Sequence, residues 1–299
     1  MKPIVSIVFI IKYWGPMVDK FFEMIKSQKF KYPYELAAVY CGNDLNLYKK
    51  IKSLTSRIKK IEPRDYNCGI TRDLSCRISR GKYIVTLSVD SVPLNNYWLK
   101  NMVEPLMNGD ADIVQGKIQC PEKGNPNYPD FFHWEKDYGF YFTGEGKKFF
   151  KKYGNFNKYG FFGLAAPNLA FKREVWKETG FGDIRYSEDN LFQKRVIEKE
   201  FKIIYSEKAT VLHAHSYKTI RPLFNRCSNE GLAWADLGEK YGFFTMLKDI
   251  FRLDLQFKVI LALIRGELKF MPEILFFIIR PVGLFWGSHY EKSVYSDER

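Results

Sequence analysis

The chain has 299 residues, with 47 Lys and Arg against 34 Asp and Glu, which leaves a formal charge of +13 at pH 7. A composition 46% hydrophobic and 27% charged excludes a disordered chain, and 21 Gly and 13 Pro without a period exclude a collagen-like one. The length permits one large domain or two small ones with a real core. The outlying feature is an aromatic content of 17%, with 26 Phe and 19 Tyr. A basic, aromatic-rich chain suits nucleic acid, a membrane surface or a phosphorylated small molecule, and charge alone does not choose among them. The cysteines Cys41, Cys68, Cys76, Cys120 and Cys227 form no Cys-x-x-Cys pair. That argues against a disulfide framework or a zinc ribbon and fits a reducing compartment.

Residues Met1 to Ile11 carry a short apolar run rich in Val and Ile. Lacking a small-residue cleavage site, it reads as a buried first strand and not as a signal peptide. Leu36 to Tyr40 reads as a second buried strand. Leu47, Ile51, Leu54, Ile58 and Ile61 recur at steps of four and three, which predicts one amphipathic helix closed by Pro63. A helix over Thr71 to Ser79 stopped by Gly81, a strand over Tyr83 to Val89, a helix around Trp98, Met102 and Leu106, and a strand at Ile113-Val114 follow. Such alternation predicts a parallel sheet with helices on both faces. From 120 to 165 aliphatic periodicity gives way to Pro, Gly, Tyr, Phe and Lys, the pattern of a long, partly ordered functional segment. Beyond it lie a strand at Asn168 to Phe171, a helix over Arg173 to Thr179, a helix from near Ser187, and strands at Ile203-Ile204 and Thr210 to Leu212. From Tyr217 onward the pattern is helical.

Three short stretches carry chemistry-bearing residues. Asp90, in Leu87-Ser88-Val89-Asp90-Ser91-Val92-Pro93, closes the strongest strand, where a carboxylate suits either a divalent cation on phosphate oxygens or a turn before Pro93. In Ser187-Glu188-Asp189, Ser187 suits a helix N-cap and the two acids suit the helix dipole, while a carboxylate fixed there also suits a general base. His213 and His215 lie two apart on a strand and so face one side, as a shared metal site would need or as two ordinary strand-end histidines would. Two weaker candidates are Asn67-Cys68-Gly69-Ile70-Thr71-Arg72 at a helix start and the lysines Lys147, Lys148, Lys151 and Lys152 between aromatics. The first suits a phosphate or base contact, the second an anionic group or a plain basic loop.

The order of these features is more specific than any one of them. A Val-Ser-Ile-Val strand, Asn-x-Gly-x-x-Arg, Ser-x-Asp-x-x-Pro with Trp98-Leu99, Asn-Leu-Ala-Phe-Lys-Arg, a Glu-Asp helix start and His-x-His-Ser-Tyr follow one another. This series resembles the family 2 glycosyltransferases of GT-A fold, and among them the rhamnosyltransferase-like branch, over about residues 4 to 235. The resemblance implies an α/β, GT-A (Rossmann-like) mixed, mostly parallel sheet flanked by helices, with a C-terminal helical membrane-associated extension. It implies a transferase domain over 1–215, with a nucleotide-sugar-binding half at 1–119 and an acceptor-binding half at 120–215, and a helical region over 216–299.

Carried onto this chain, the resemblance implies that Asp90 holds a divalent cation, Mn2+ or Mg2+, and that His213 is a metal or diphosphate contact ahead of His215. Asp189 matches the catalytic base with Glu188 beside it. Ile10, Tyr40, Asn43, Arg72, Ser88 and Val89 fall in the nucleotide-sugar site, with Arg72 similar to the arginine that contacts the base. The chemistry implied is inverting transfer from a nucleoside-diphosphate sugar, dTDP-rhamnose or a UDP-sugar, to a lipid-linked glycan in surface polysaccharide synthesis. The alternative is an inactive glycan- or nucleotide-binding scaffold subunit. One departure is plain: where the family usually has an aspartate closing the second strand, this chain has Tyr40, which suits stacking on a base or a degenerate pocket.

Between Phe243 and Trp286 the chain is very apolar, but charges interrupt it, and Ile274 to Ile279 falls far short of the ~20 residues of a spanning helix. Helices lying in the membrane interface, with Trp286 and Tyr290 at headgroup level, are expected, against a helical oligomer interface or a cover on the core. The expected location is the cytoplasmic face of the cell membrane. The expected partners are donor, lipid-linked acceptor and membrane surface, with a homo-oligomer allowed and nucleic acid excluded for want of any recognised module.

Overall fold

The computed structural model describes residues 2–119, 164–213, 217–238, 240–268 and 270–290. They fall into two compact units, one of residues 2–119 and 164–213, the other of residues 217–290.

The first unit is built on β1 (Val5–Ile11), β2 (Tyr34–Cys41), β3 (Arg57–Ile61), β4 (Tyr83–Leu87), β5 (Ser91–Pro93), β6 (Ile113–Gln119), β7 (Asn168–Lys172) and β8 (Ile203–His213). They form one sheet in the order β3-β2-β1-β4-β7-β6-β8-β5. β1, β2, β3 and β4 run parallel, β7 is antiparallel to both β4 and β6, and β8 is parallel to β6. The sheet is therefore mixed and mostly parallel, as the resemblance implied. Val8, Ala37, Ile84, Ile113 and Phe171 are buried in its core, which is why these strands read as unbroken apolar runs.

The expected single helix from Leu47 to Ile61 is corrected. Helix α2 (Leu45–Leu54), after α1 (Val18–Lys26), ends at an extended Thr55, and Arg57–Ile61 pairs instead with Ala37–Cys41 at the sheet edge. The apolar spacing ran on through the break because Ile58 and Ile61 are half-buried on an edge strand. Likewise the two short strands expected between 203 and 212 are one, β8, with an irregularity opposite Gly116 to Ile118.

Helix α3 (Cys68–Ile78) starts where the Asn67 side chain accepts the Ile70 N–H at 3.0 Å. Gly69 sits in its first turn, where an added Cβ would come within 2.0 Å of the Gly182 carbonyl. The Asn-x-Gly pairing thus caps the helix and lets the 180–186 loop lie directly against it. Helices α4 (Trp98–Met107), α5 (Arg173–Thr179) and α6 (Glu188–Glu198) complete the unit. Phe192 of α6 stacks on Phe181 at 4.6 Å and leans on Phe171 of β7, fixing the helix that carries Glu188 and Asp189.

The second unit is helical: α7 (Ile220–Asp236), α8 (Phe243–Ile250), α9 (Leu253–Ile264), α10 (Met271–Ile274) and α11 (Phe276–Tyr290). Helices α7 and α11 pack closely, and at Gly287 a Cβ would meet the Ser228 carbonyl at 1.8 Å. No described helix is long and apolar enough to cross a membrane.

Candidate active site

Between β1 and β4 the sheet changes direction of growth, β2 and β3 lying to one side and β7 to the other. Ligands of such sheets bind beyond the carboxyl ends of the strands at that switch point. Ser88, Val89 and Asp90 follow β4 there, all partly exposed, and the half-buried Ile10 lies near the end of β1.

The short β5 pairs with the end of β8, Ser91 opposite His213. That register brings His213 Nδ1 to 3.3 Å from Asp90 Oδ1 and 2.9 Å from Ser91 Oγ. The imidazole is nearly buried while the Asp90 side chain keeps 36% of its surface open. It is Nδ1 that faces the carboxylate, so a cation shared by the two side chains would sit on the Nδ1 lone pair, with the ring proton on Nε2.

Glu188 is buried, and its Oε1 accepts Arg72 Nε at 2.7 Å. Asp189 accepts the Asn190 N–H at 3.0 Å and the Ala166 N–H at 3.4 Å. Burial first, and then the Glu188 charge, push the Asp189 carboxyl up to about 7, with Arg72 and the two amides pulling it back. A carboxyl in that range is poised to take a proton near neutral pH.

Residues 164–167 link the two acidic centres. Ala166 reaches Asp189, and the next residue, Pro167, accepts the Ser88 N–H at 3.4 Å, two positions before Asp90. Buried side chains hold this strap. Gln193 accepts the Leu164 N–H, Gln115 accepts the Ala165 N–H at 2.8 Å, and the Thr86 hydroxyl donates to the Ala166 carbonyl at 2.7 Å. None of these was singled out from the sequence, because an isolated glutamine or threonine has no motif; only burial reveals it.

Two expectations are corrected. Ser187 is no side-chain cap: it adopts a left-handed backbone, φ 57° and ψ 39°, and its hydroxyl makes no capping bond. A non-glycine residue there carries strain of order 1–3 kcal/mol, as Glu200 at φ 58° also does at the other end of α6. Tyr40 offers no face to a nucleotide base. It is 1% exposed, and its hydroxyl accepts the Asp44 N–H at 3.0 Å and donates to the Asp44 carbonyl at 3.1 Å, so it shapes the turn after β2 on which Asn43 is exposed.

Arg72 is 9% exposed with its Nε on Glu188, so the structure joins it to the acid pair. Beyond β1, Lys12 Nζ stands 3.6 Å from the Tyr66 ring centroid, and the Tyr66 hydroxyl lies 3.2 Å from Cys68 Sγ. Burial, and next the Glu188 charge, push the Cys68 thiol up to about 12, which rules out a thiolate nucleophile at neutral pH. His215, Lys147, Lys148, Lys151 and Lys152 lie outside the described residues, as does most of the 120–165 segment.

Among the described residues no group of three or more His, Cys, Asp and Glu is placed to hold a metal ion alone. Asp90 and His213 do fit a hard divalent cation whose remaining ligands are diphosphate oxygens and water.

The model of the family described as "Glycosyl transferase family 2" matches residues 6–180. In fold the chain is similar to the mannosyltransferase PcManGT from Pyrobaculum calidifontis in complex with GDP-Man and Mn2+, at 12% identity over 98% of this chain and 89% of that one, TM-score 0.57. It is similar also to glucosyl-3-phosphoglycerate synthase from Mycobacterium tuberculosis in complex with Mn2+, UDP-glucose and glycerol 3-phosphate, at 14% identity over 79% of each chain, TM-score 0.51. No curated protein sequence matches the chain.

Proposed function

The chain belongs to glycosyl transferase family 2, and we propose that it moves a sugar from a nucleoside-diphosphate sugar to a hydroxyl of a lipid-linked glycan in surface polysaccharide synthesis. The donor is dTDP-rhamnose or a UDP-sugar. The observation that carries this reading is the strap at 164–167, which ties a carboxyl pushed up to about 7, Asp189, to the end of β4 where Asp90 meets His213.

In this reading Asp189 takes the proton of the acceptor hydroxyl. The oxygen attacks the anomeric carbon from the face opposite the diphosphate, the bond to the diphosphate oxygen breaks, and its electron pair leaves with the diphosphate, so the configuration inverts. Asp90 and His213 would hold a divalent cation, Mn2+ or Mg2+, which supplies charge to stabilise the leaving diphosphate. Ser88, Val89 and Ile10 line the donor side at the strand ends. Glu188 and Arg72 are positioning residues: the pair fixes the first turn of α6, and Glu188 adds the charge that keeps Asp189 basic.

The test is transfer of labelled sugar from a panel of nucleotide sugars to lipid-linked acceptor. Asp189→Asn is expected to keep nucleotide binding and to lose roughly 10²–10⁴-fold in turnover. Turnover equal to wild type in Asp189→Asn would remove the base assignment.

A further inference from the structure

The helical unit carries an apolar face that water does not suit. Leu253, Phe257, Ile260 and Ile264 recur along α9 at steps of four, three and four and are 77%, 61%, 52% and 75% exposed. The opposite side of the same helix is also apolar: Val259 and Ala262 are buried with Leu268 against Ile274 and Phe277. By position on the helix, Asp254, Gln256 and Lys258 separate the two apolar stripes, and an apolar stripe of this length is normally covered. Phe244, Phe251 and Met271 of the same unit are also exposed.

Exposed cations stand near this face, with Glu267 half-buried just beyond α9. Lys248, Arg252 and Arg265 are exposed, the two arginines standing at either end of α9. Three acids of the unit are used internally. Asp249 accepts the Tyr241 hydroxyl, the buried Glu273 accepts the Phe270 N–H at 3.1 Å, and Glu230 pairs with Arg280 at 2.7 Å. An apolar stripe bounded by exposed cations complements an anionic lipid surface. It complements a second copy poorly, because a two-fold pairing of α9 helices sets arginine against arginine in either direction. At 12 residues, α9 is about 18 Å long against a hydrocarbon core of ~30 Å, so it fits along the interface and not across it.

We infer that α9 lies flat in the headgroup region of an anionic bilayer, burying Leu253, Phe257, Ile260 and Ile264 among acyl chains with Arg252 and Arg265 at lipid phosphates. This deepens the proposed function by saying where a lipid-borne acceptor is met. It stands on the helical unit's own surface, so nucleotide binding and sugar transfer can succeed or fail independently of it.

The experiment is flotation of the full chain with phosphatidylcholine vesicles, with and without phosphatidylglycerol, across a salt series, alongside light scattering without lipid. Wild type is expected to float with the anionic vesicles and to lose part of that binding as salt rises. Phe257→Glu with Ile260→Glu, at solvent-facing positions, is expected to lower partitioning by roughly tenfold or more while leaving the circular dichroism spectrum unchanged. Arg252→Ala with Arg265→Ala is expected to erase the preference for anionic over neutral vesicles, and it decides the matter should the glutamate variant fail to fold. Wild type remaining in the soluble fraction with both vesicles overturns the inference. So does a lipid-free dimer that Phe257→Glu dissociates while vesicle binding is absent, since the face would then join two copies.

Discussion

At the scale of single residues, two adjacent carboxylates in α6 are given different tasks by their surroundings. Glu188 is paired with Arg72 at 2.7 Å, whereas Asp189 accepts two backbone amides and is pushed up to about 7. Activity should therefore rise as pH climbs through the region of 7. Glu188→Gln removes the second cause of that shift and leaves the opposing Arg72 charge, so the acid limb of the rate profile should move to lower pH; an unmoved or raised limb would refute the coupling. The same shift has a stability consequence. The folded Asp189 carboxyl is above the unfolded value of about 3.9, so its contribution is favourable at lower pH and is lost as pH rises through about 7. Asp189→Asn is accordingly expected to raise the melting temperature at pH 8 and to leave it unchanged near pH 4, as differential scanning calorimetry can measure.

At the scale of elements, the site is assembled by register and close approach. Gly69 lets the Gly182 carbonyl lie on α3, and the loop from there leads into the left-handed Ser187 and the acid pair. Gly69→Ala forces that contact apart and should cost about 1–3 kcal/mol in chemical denaturation, in line with other overpacked sites; a neutral result would mean the loop yields freely. Much of this was legible beforehand. Apolar runs marked β1, β2 and β4, and Ser-x-Asp, Glu-Asp and His-x-His singled out Asp90, Asp189 and His213 as candidates. What was not legible has physical causes. The Ile58 and Ile61 spacing mimicked a helix across the Thr55-Ser56 break, and nothing local shows that β5 sets Ser91 opposite His213. Tyr40 looked available for stacking because sequence does not reveal that its hydroxyl closes on the Asp44 backbone. The strap amides depend on Gln115 and Gln193, whose value lies wholly in burial.

At the scale of the whole molecule, an α/β unit bearing the acidic centres is joined in one chain to a helical unit with an open apolar face. Asp90 with His213 forms the centre on which the donor reading depends, because no larger metal-ligand cluster exists among the described residues. A ligand that binds the native state raises its melting temperature, so donor binding can be read without knowing the acceptor. The decisive measurement is thermal stabilisation by UDP, dTDP, GDP and CMP, with and without Mn2+, on wild type and Asp90→Ala. One nucleoside diphosphate should stabilise wild type in the presence of Mn2+ and lose that stabilisation in Asp90→Ala. Stabilisation by none of them, or an undiminished Mn2+-dependent shift in Asp90→Ala, would contradict the donor site at the end of β4 and leave the chain a scaffold in place of an enzyme.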